Sequence, residues 1–140
     1  MDDSIRIGFA GLKDIKELSE IEKAANKEHS SWIIRRRYEF RQLIDKKRVL
    51  VARRGGSIAG YINFKKPTGK KEKSLWLEDI YVKKESRRMH VAKAMIYYLI
   101  RHFDIKYVAL LTPDRNMKIF RRMGFKKPMN WMSLDLRKKK

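Results

Sequence analysis

The residues best suited to chemistry lie in one stretch, residues 77–95, which reads LEDIYVKKESRRMHVAKAM. An alternating apolar run leads through a basic turn into a predicted helix that begins at Val91. A helix start leaves about four backbone N–H groups unpaired and carries roughly half a positive charge, so it can hold a pyrophosphate. Arg87 and Arg88 add fixed cations there, and three lysines surround them: Lys83, Lys84 and Lys93. The turn is a candidate anion site; the alternative is an exposed connection with incidental charge.

Two carboxylates, Glu78 and Asp79, precede this turn. Successive side chains of a strand point to opposite faces, so we expect these two carboxylates to diverge. The same alternation predicts that Glu78 shares a face with Ile80 and Val82. In so basic a protein, pairing with a neighbouring Arg or Lys is an equally reasonable role for either carboxylate.

The composition excludes or disfavours several other kinds of site. The chain has no cysteine, which excludes disulfides, a thiol nucleophile and thiolate metal ligands. Its histidines, His29, His90 and His102, lack metal-ligand spacing, so no metal site is predicted. No run of about 18 apolar residues exists and no apolar leader follows the start. We therefore expect a cytoplasmic protein that does not enter a membrane.

The charge of the chain is large and unevenly distributed. Lys and Arg number 36 against 16 Asp and Glu, which gives a formal net charge of +20. Residues 1–30 carry five basic and seven acidic side chains, a net charge of −2, whereas residues 31–140 carry a net charge of +22. Such a field attracts nucleic acid, an acidic protein or a phosphate-rich cofactor. The alternative is a basic surface that serves only solubility.

The apolar patterns predict a single α/β domain over residues 1–136, followed by a basic tail at 137–140. The predicted order of elements is β-α-α-β-β-β-α-β-α-β-β. Ser30 or Ser31 is predicted to cap the second helix, and Gly55-Gly56 to turn a hairpin. The other predicted elements are a strand at 4–10, a helix from Leu12, a strand at 74–82, a helix at 91–103, a strand at 106–112, a helix at 114–124, a short extra strand at GFKKP (124–128) and a closing strand at 130–136.

Over residues 5–136, this order resembles the GNAT superfamily of acetyl-CoA-dependent N-acetyltransferases. In that family a strand ending in Val leads into a helix through the pattern [QR]-x-x-G-x-[GA]. The segment YVKKESRRMHVAKAM matches this pattern with Arg87 as its first residue and Ala92 as its last, and His90 stands in place of the glycine. The segment IFRRMGF, at residues 119–125, resembles the family's C-terminal motif.

The resemblance implies a GNAT-like domain with a mixed central sheet flanked by helices, and it implies acetyl-CoA as the cofactor. The cations Arg87 and Arg88 would face its phosphates. Phe120 would lie at the cofactor in place of a tyrosine that protonates the departing thiolate in many relatives, with core packing as the alternative. The backbone that would align pantetheine and the acetyl carbonyl is that of Ile80, Tyr81 and Val82. The backbone that would wrap the pyrophosphate is that of Arg88, Met89, His90, Val91, Ala92 and Lys93.

The same resemblance implies direct acetyl transfer, within a ternary complex, to a primary amine of a small molecule or a protein. Relatives with LED in this strand have a carboxylate that takes the amine's proton, which makes Glu78 the first candidate and Asp79 the second. The substrate would be held by stacking or cation–π contact with Trp32, Tyr38 and Trp131, for which core packing is the alternative. The LED segment favours a polyamine-like amine, which a net charge of +20 repels unless the pocket is locally acidic. The first helix would supply such an acidic wall with Glu17, Glu20 and Glu22. The alternative for the whole protein is an inactive relative that binds nucleic acid or another polyanion. A homodimer is compatible with either function.

Overall fold

The computed structural model of the chain describes residues 4–30, 32–67, 73–112 and 114–126. None of the helices within these ranges is long and apolar enough to cross a membrane. The strands found there are β1 (Ile5–Phe9), β2 (Val49–Arg54), β3 (Ser57–Lys65), β4 (Ser74–Val82) and β5 (Tyr107–Leu110). The helices found there are α1 (Ile15–Glu28), α2 (Arg37–Asp45), α3 (Val91–Phe103) and α4 (Asp114–Arg122).

The strands form one mixed sheet in the order β1-β2-β3-β4-β5. Strands β1 to β4 pair with one another in antiparallel fashion, and β5 pairs with β4 in parallel. Gly55 and Gly56 have φ of +58° and +87°, the left-handed backbone that a tight turn between β2 and β3 requires. The helix α3 supplies the longer crossover that a parallel strand needs. The predicted α/β domain with a mixed sheet is confirmed.

The sheet has a hydrophobic core on each face. On one face, α1 and α2 bury apolar side chains against the sheet, including Leu18, Ile21 and Phe40. On the other face, α3 packs its apolar stripe, residues Val91, Met95, Ile96 and Leu99, against the same strands. The α1/α2 face and the α3 face are therefore distinct surfaces, and a side chain of β4 belongs to one or the other.

The sheet opens between β4 and β5. Their pairing runs from Ser74 opposite Tyr107 to Leu77 opposite Leu110, where β5 ends. Strand β4 continues to Val82 and remains paired with β3 on its other edge. Among the described residues, positions 78–82 of β4 thus lack a strand partner on the β5 side, and their backbone is available to a ligand.

Two of the predicted elements differ from the structure or lie outside its described ranges. The second helix begins at Arg37, and not beside Ser30 or Ser31 as predicted. The N–H of Arg36 donates to Glu39 Oε1 at 2.9 Å, so Arg36 and Glu39 cap the N-terminus of the helix in place of a serine. The closing strand at 130–136 and the basic tail lie outside the described residues.

Candidate active site

The two carboxylates of β4 lie at the point where the sheet opens, next to a β-bulge. Asn63 of β3 pairs with Asp79, and the next residue, Phe64, pairs with Leu77, so Glu78 is an extra residue in β4. The side chain of Asn63 contacts both carboxylates: its Nδ2 is 3.3 Å from Glu78 Oε2 and 3.2 Å from Asp79 Oδ2. The prediction that they point to opposite faces is wrong, because a bulge interrupts the alternation.

The bulge also places Glu78 on a different face from the one predicted. Ile80 and Val82 pack against the core that α3 covers. Tyr81, by contrast, belongs to the α1/α2 face. Since Glu78 and Asp79 share one amide partner, both carboxylates lie on the α1/α2 face, and Glu78 does not share the face of Ile80 and Val82.

Glu78 is partly exposed and has basic neighbours. Its side chain is 27% exposed, and its Oε1 lies 3.4 Å from Arg48 Nη2 and 3.6 Å from Lys65 Nζ. The side chain of Asn63 is buried beside it, and Asn63 Oδ1 has no hydrogen-bond partner among the described residues. The site therefore presents a partly exposed carboxylate, Glu78, which can accept a hydrogen bond from an N–H donor such as an amine.

Asp79 is held by Arg35, a residue of the segment between α1 and α2. The guanidinium of Arg35 forms ion pairs with Asp79 and with Glu22 of α1. The backbone N–H of Arg35 donates to Glu22 Oε1 at 2.6 Å, and Tyr61 Oη donates to Glu22 Oε2 at 3.0 Å. Arg35 thus joins α1 to the centre of the sheet.

Burial governs the protonation of this cluster. Complete desolvation raises the pKa of Glu22 in spite of its hydrogen bonds from Arg35 and Tyr61. Burial also opposes a charge on Arg35, but Asp79 and Glu22 outweigh it and raise the pKa of the guanidinium. Burial likewise raises the pKa of the Tyr61 phenol. Arg35 is therefore a permanent cation placed between two carboxylates.

Sequence reasoning missed Arg35, and it named Glu22 only as part of an acidic wall on the first helix, without a partner. Glu22 lies on the stripe that α1 buries, next to Ile21 and one turn from Leu18. A carboxylate on a buried helical stripe needs a partner, because an unpaired charge in a core is costly. That position was the available signal for Glu22, whereas nothing local in the sequence identifies Arg35 as its partner.

The turn before α3 keeps its backbone amides available. Arg88 and His90 have φ of +71° and +60°, and α3 starts at Val91. The first helical bond runs from the N–H of Ala94 to the carbonyl of His90 at 3.0 Å. Within the described residues, no hydrogen-bond acceptor is found for the amides that precede it: those of Arg88, Met89, His90, Val91, Ala92 and Lys93. Left-handed residues of this kind turn successive N–H groups toward a common anion.

The side chain of Arg87 is anchored to α1 and β4 instead of extending over these amides. Its Nε donates to the carbonyl of Val82 at 2.8 Å, and its Nη2 lies 2.8 Å from Glu28 Oε1. Tyr81 Oη donates to the same Glu28 oxygen, and the Arg87 guanidinium lies 5.4 Å from the centre of the Tyr81 ring. The hydrogen bond from Arg87 holds the pKa of Glu28 at about 2, well below its usual 4.5. Burial and the bond to Glu28 raise the pKa of Tyr81 to about 12.

At the open edge of β4, successive residues alternate in the direction of their backbone groups. The N–H of Lys83 donates to Ala59 of β3 at 2.8 Å. By alternation along an antiparallel ladder, the peptide groups of Tyr81 also face β3, and those of Ile80 and Val82 face the opening. Of the three predicted backbone contacts, the geometry therefore favours Ile80 and Val82 over Tyr81. Arg87 already uses the Val82 carbonyl.

The aromatic residues predicted to contact substrate have different surroundings. Trp32 packs on the α1/α2 core, with its Nε1 3.2 Å from Tyr61 Oη and its ring 5.4 Å from that of Tyr81. Tyr38 is 58% exposed and lines a groove of about 390 Å³ between α1 and α2 that contains neither Glu78 nor Asp79. Trp131 lies outside the described residues.

Phe120 packs inside the protein, as the alternative interpretation proposed. It joins the core on the α3 face, and its ring lies 5.7 Å from that of Phe125. The N–H groups of Met123 and Phe125 both donate to its carbonyl, which ends α4. This packing and hydrogen bonding stabilise the C-terminal end of α4, and they do not require a cofactor.

A sequence model of the acetyltransferase (GNAT) family matches residues 7–125, and the chain belongs to this family. A ribosomal-protein-alanine N-acetyltransferase from Brucella melitensis biovar Abortus 2308 is similar in structure, with a TM-score of 0.72 at 17% identity over 94% of this chain and 99% of its own. A predicted acetyltransferase with acetyl-CoA from Clostridium acetobutylicum has a TM-score of 0.69 at 18% identity over 95% and 97%.

An aminoglycoside acetyltransferase from an uncultured soil metagenomic sample, in complex with sisomicin, has a TM-score of 0.69 at 14% identity over 94% of this chain and 96% of its own. At such identities the likeness shows the fold alone. No curated protein matches the chain significantly. The comparisons give no support to an inactive relative that binds nucleic acid.

Proposed function

We propose that this GNAT-family protein is an N-acetyltransferase that transfers an acetyl group from acetyl-CoA directly to a primary amine in a ternary complex. The observation that carries the proposal is the continuity of the site along β4. The carboxylates of Glu78 and Asp79 lie where β4 parts from β5, and the free amides before α3 follow the end of the same strand. We expect the protein to act in the cytoplasm.

The residues present fit acetyl-CoA. Free amides at the start of α3, together with Arg88 and Lys93, suit a diphosphate by charge and hydrogen bonding. The peptide groups of Ile80 and Val82 at the open edge of β4 suit an extended chain that carries amide groups. When bound, acetyl-CoA supplies the acetyl group as a thioester.

Glu78 is the better candidate for the base. A protonated amine has no lone pair, so a group at the site must take its proton before attack. The two side chains are similarly exposed, 22% for Asp79 and 27% for Glu78, but Asp79 forms a close ion pair with Arg35, whereas the contacts of Glu78 are 3.3 Å or longer. We assign proton acceptance to Glu78 and leave Asp79 the role of orienting Arg35 and Asn63.

No side-chain acid is needed at Phe120. A phenylalanine cannot donate a proton to the departing thiolate. A thiol with a pKa of about 8.5 is a tolerable leaving group near neutral pH, so solvent can supply the proton later. Trp32 packs near Tyr61 and Tyr81 on the same face as Glu78, and we propose that it forms a wall of the amine site.

Calorimetric titration with acetyl-CoA tests the binding half of the proposal. We expect saturable binding, weakened about tenfold by Arg88→Gln, since a charge-assisted hydrogen bond contributes about 1.4 kcal/mol. Arg101→Gln removes the same charge from the far end of α3 and should change the affinity by less than about twofold. Absence of binding at millimolar acetyl-CoA would refute the function.

Thiol release with a panel of primary amines tests the catalytic half. Glu78→Gln should lower kcat by about 10² or more, the usual contribution of a positioned base, while affinity for acetyl-CoA is unchanged. Glu20→Gln removes an exposed carboxylate from α1 and serves as the control. A Glu78→Gln variant that is as fast as the wild type across pH would show that Glu78 is not the base.

A further inference from the structure

Three carboxylates lie on the α1/α2 face of β4 around the proposed amine site, and their compensation by cations matters for the kind of amine that fits. Glu78 and Asp79 lie on the α1/α2 face of β4, and Glu22 approaches the same face from α1. Carboxylates arranged in this way attract cations, and an amine with two ammonium groups could engage one with each end. The charge that remains uncompensated at this face therefore decides whether a monoamine or a diamine binds better.

The chain fills part of this acidic face with its own cation. The guanidinium of Arg35 bridges Glu22 and Asp79, and its side chain is 12% exposed. Glu22 is fully buried, and among the described residues its hydrogen-bond partners are Arg35 and Tyr61. A second ammonium group of a substrate would have to displace Arg35 from Asp79 Oδ2, or approach an Asp79 carboxylate whose charge the Arg35 guanidinium already compensates.

The remaining carboxylate offers no second place for a dication. Glu78 has Arg48 at 3.4 Å and Lys65 at 3.6 Å. Within the described residues the three carboxylates are thus matched by three basic groups, and the face has no net negative charge. The net charge of +20 on the whole chain slows the approach of a dication, while the groups in contact with the carboxylates set the charge that it meets on binding.

We propose that Arg35 is a specificity-determining residue, which occupies the position of a second ammonium group and so selects acceptors with a single positive charge over diamines and polyamines. This inference rests on the proposed N-acetyltransferase function. The acceptor class that it names is a primary amine whose neighbouring groups are neutral or anionic.

The test compares butylamine with butane-1,4-diamine, which have the same carbon chain and differ by one ammonium group. Their Kd values are measured by calorimetry in the presence of coenzyme A, which cannot react. The wild type should bind the diamine no more tightly than the monoamine. The double variant Glu22→Gln/Arg35→Gln keeps the net charge, leaves Asp79 unpaired and should bind the diamine at least tenfold more tightly than the monoamine.

Two single variants keep the test independent of the folding of the double variant. Arg35→Lys retains the cation and should keep the wild-type ratio of the two Kd values. Asp79→Asn leaves Arg35 less compensated and should shift the ratio further against the diamine. A loss of packing alone would not shift the ratio toward the diamine in the double variant and against it in Asp79→Asn.

The inference is overturned if the wild type prefers the diamine, or if the folded double variant keeps the wild-type ratio. If the double variant does not fold, an Asp79→Asn ratio equal to that of the wild type overturns it instead. Failure of the proposed function is a separate result, because it appears as no binding of acetyl-CoA and no thiol release with any amine.

Discussion

Replacing His90 by glycine tests whether the cofactor turn has the backbone described here. His90 has φ of +60° and ψ of +28°, and its side chain is exposed. A left-handed conformation costs a residue with a Cβ about 1–2 kcal/mol, and glycine avoids this steric cost. Glycine also increases the entropy of the unfolded chain, which offsets about 0.5–1 kcal/mol. We therefore expect His90→Gly to raise the free energy of unfolding by about 0.5 kcal/mol.

Urea unfolding measured without cofactor checks this value, and Lys93→Gly is the matched control. Lys93 is exposed in the first turn of α3, where the backbone is helical, so glycine should cost about 1 kcal/mol there. The two variants should thus move the midpoint in opposite directions with equal m-values. Acetyl-CoA should bind His90→Gly more tightly, since no Cβ crowds the amides. If His90→Gly is as unstable as Lys93→Gly, the turn is not left-handed and the argument for a phosphate site fails.

Two further substitutions test the contacts around β4. Glu28→Gln should remove a contribution to the free energy of unfolding that depends on pH. The pKa of Glu28 is lowered from 4.5 to about 2, so its contribution is present above about pH 4.5 and is lost as the pH falls toward 2. The shift corresponds to about 3 kcal/mol, which we discount to about 1 kcal/mol because Arg87 is 39% exposed. If the wild type and Glu28→Gln lose the same free energy of unfolding between pH 5 and pH 2, this prediction is contradicted. Gly60→Ala should destabilise by about 1–3 kcal/mol, because its Cβ would lie 2.7 Å from the Tyr81 carbonyl oxygen. Gly8→Ala, in β1 with nothing within 4 Å, should be near neutral in urea unfolding, and equal effects at the two glycines would refute the close approach of β3 to β4.

The elements that sequence predicted well are those with local signals. The helix at Val91–Phe103 has the predicted bounds, because its apolar spacing and its start after a basic turn are both readable from neighbouring residues. The hairpin at Gly55-Gly56 is equally local, since two residues with positive φ are required there. Element order followed from these signals, and the family model agrees with the fold that they indicated.

The parts that sequence mispredicted depend on distant partners. The bulge at Glu78 exists only in the pairing of β4 with Asn63 and Phe64 of β3, so alternation within β4 cannot reveal it. The segment before α2 has apolar residues and serines that suggest a helix. Instead, Arg35 reaches Glu22 and Asp79. Ion pairs between residues so far apart in sequence produce no periodic pattern in the sequence. They can override the helix propensity of the residues that form them.

The net charge of the chain and the local charge of the proposed site affect different steps: the approach of ligands and the binding of the amine. At physiological salt, charges beyond about 8 Å are largely screened, so most of the +20 acts on the approach of an anionic cofactor and little on the bound amine. Within the site, by contrast, Arg35, Arg48 and Lys65 contact the carboxylates directly and set the charge that the amine meets. Under the proposed function, a basic protein can therefore acetylate a cationic group, provided that the amine brings one charge and gives up its proton at Glu78.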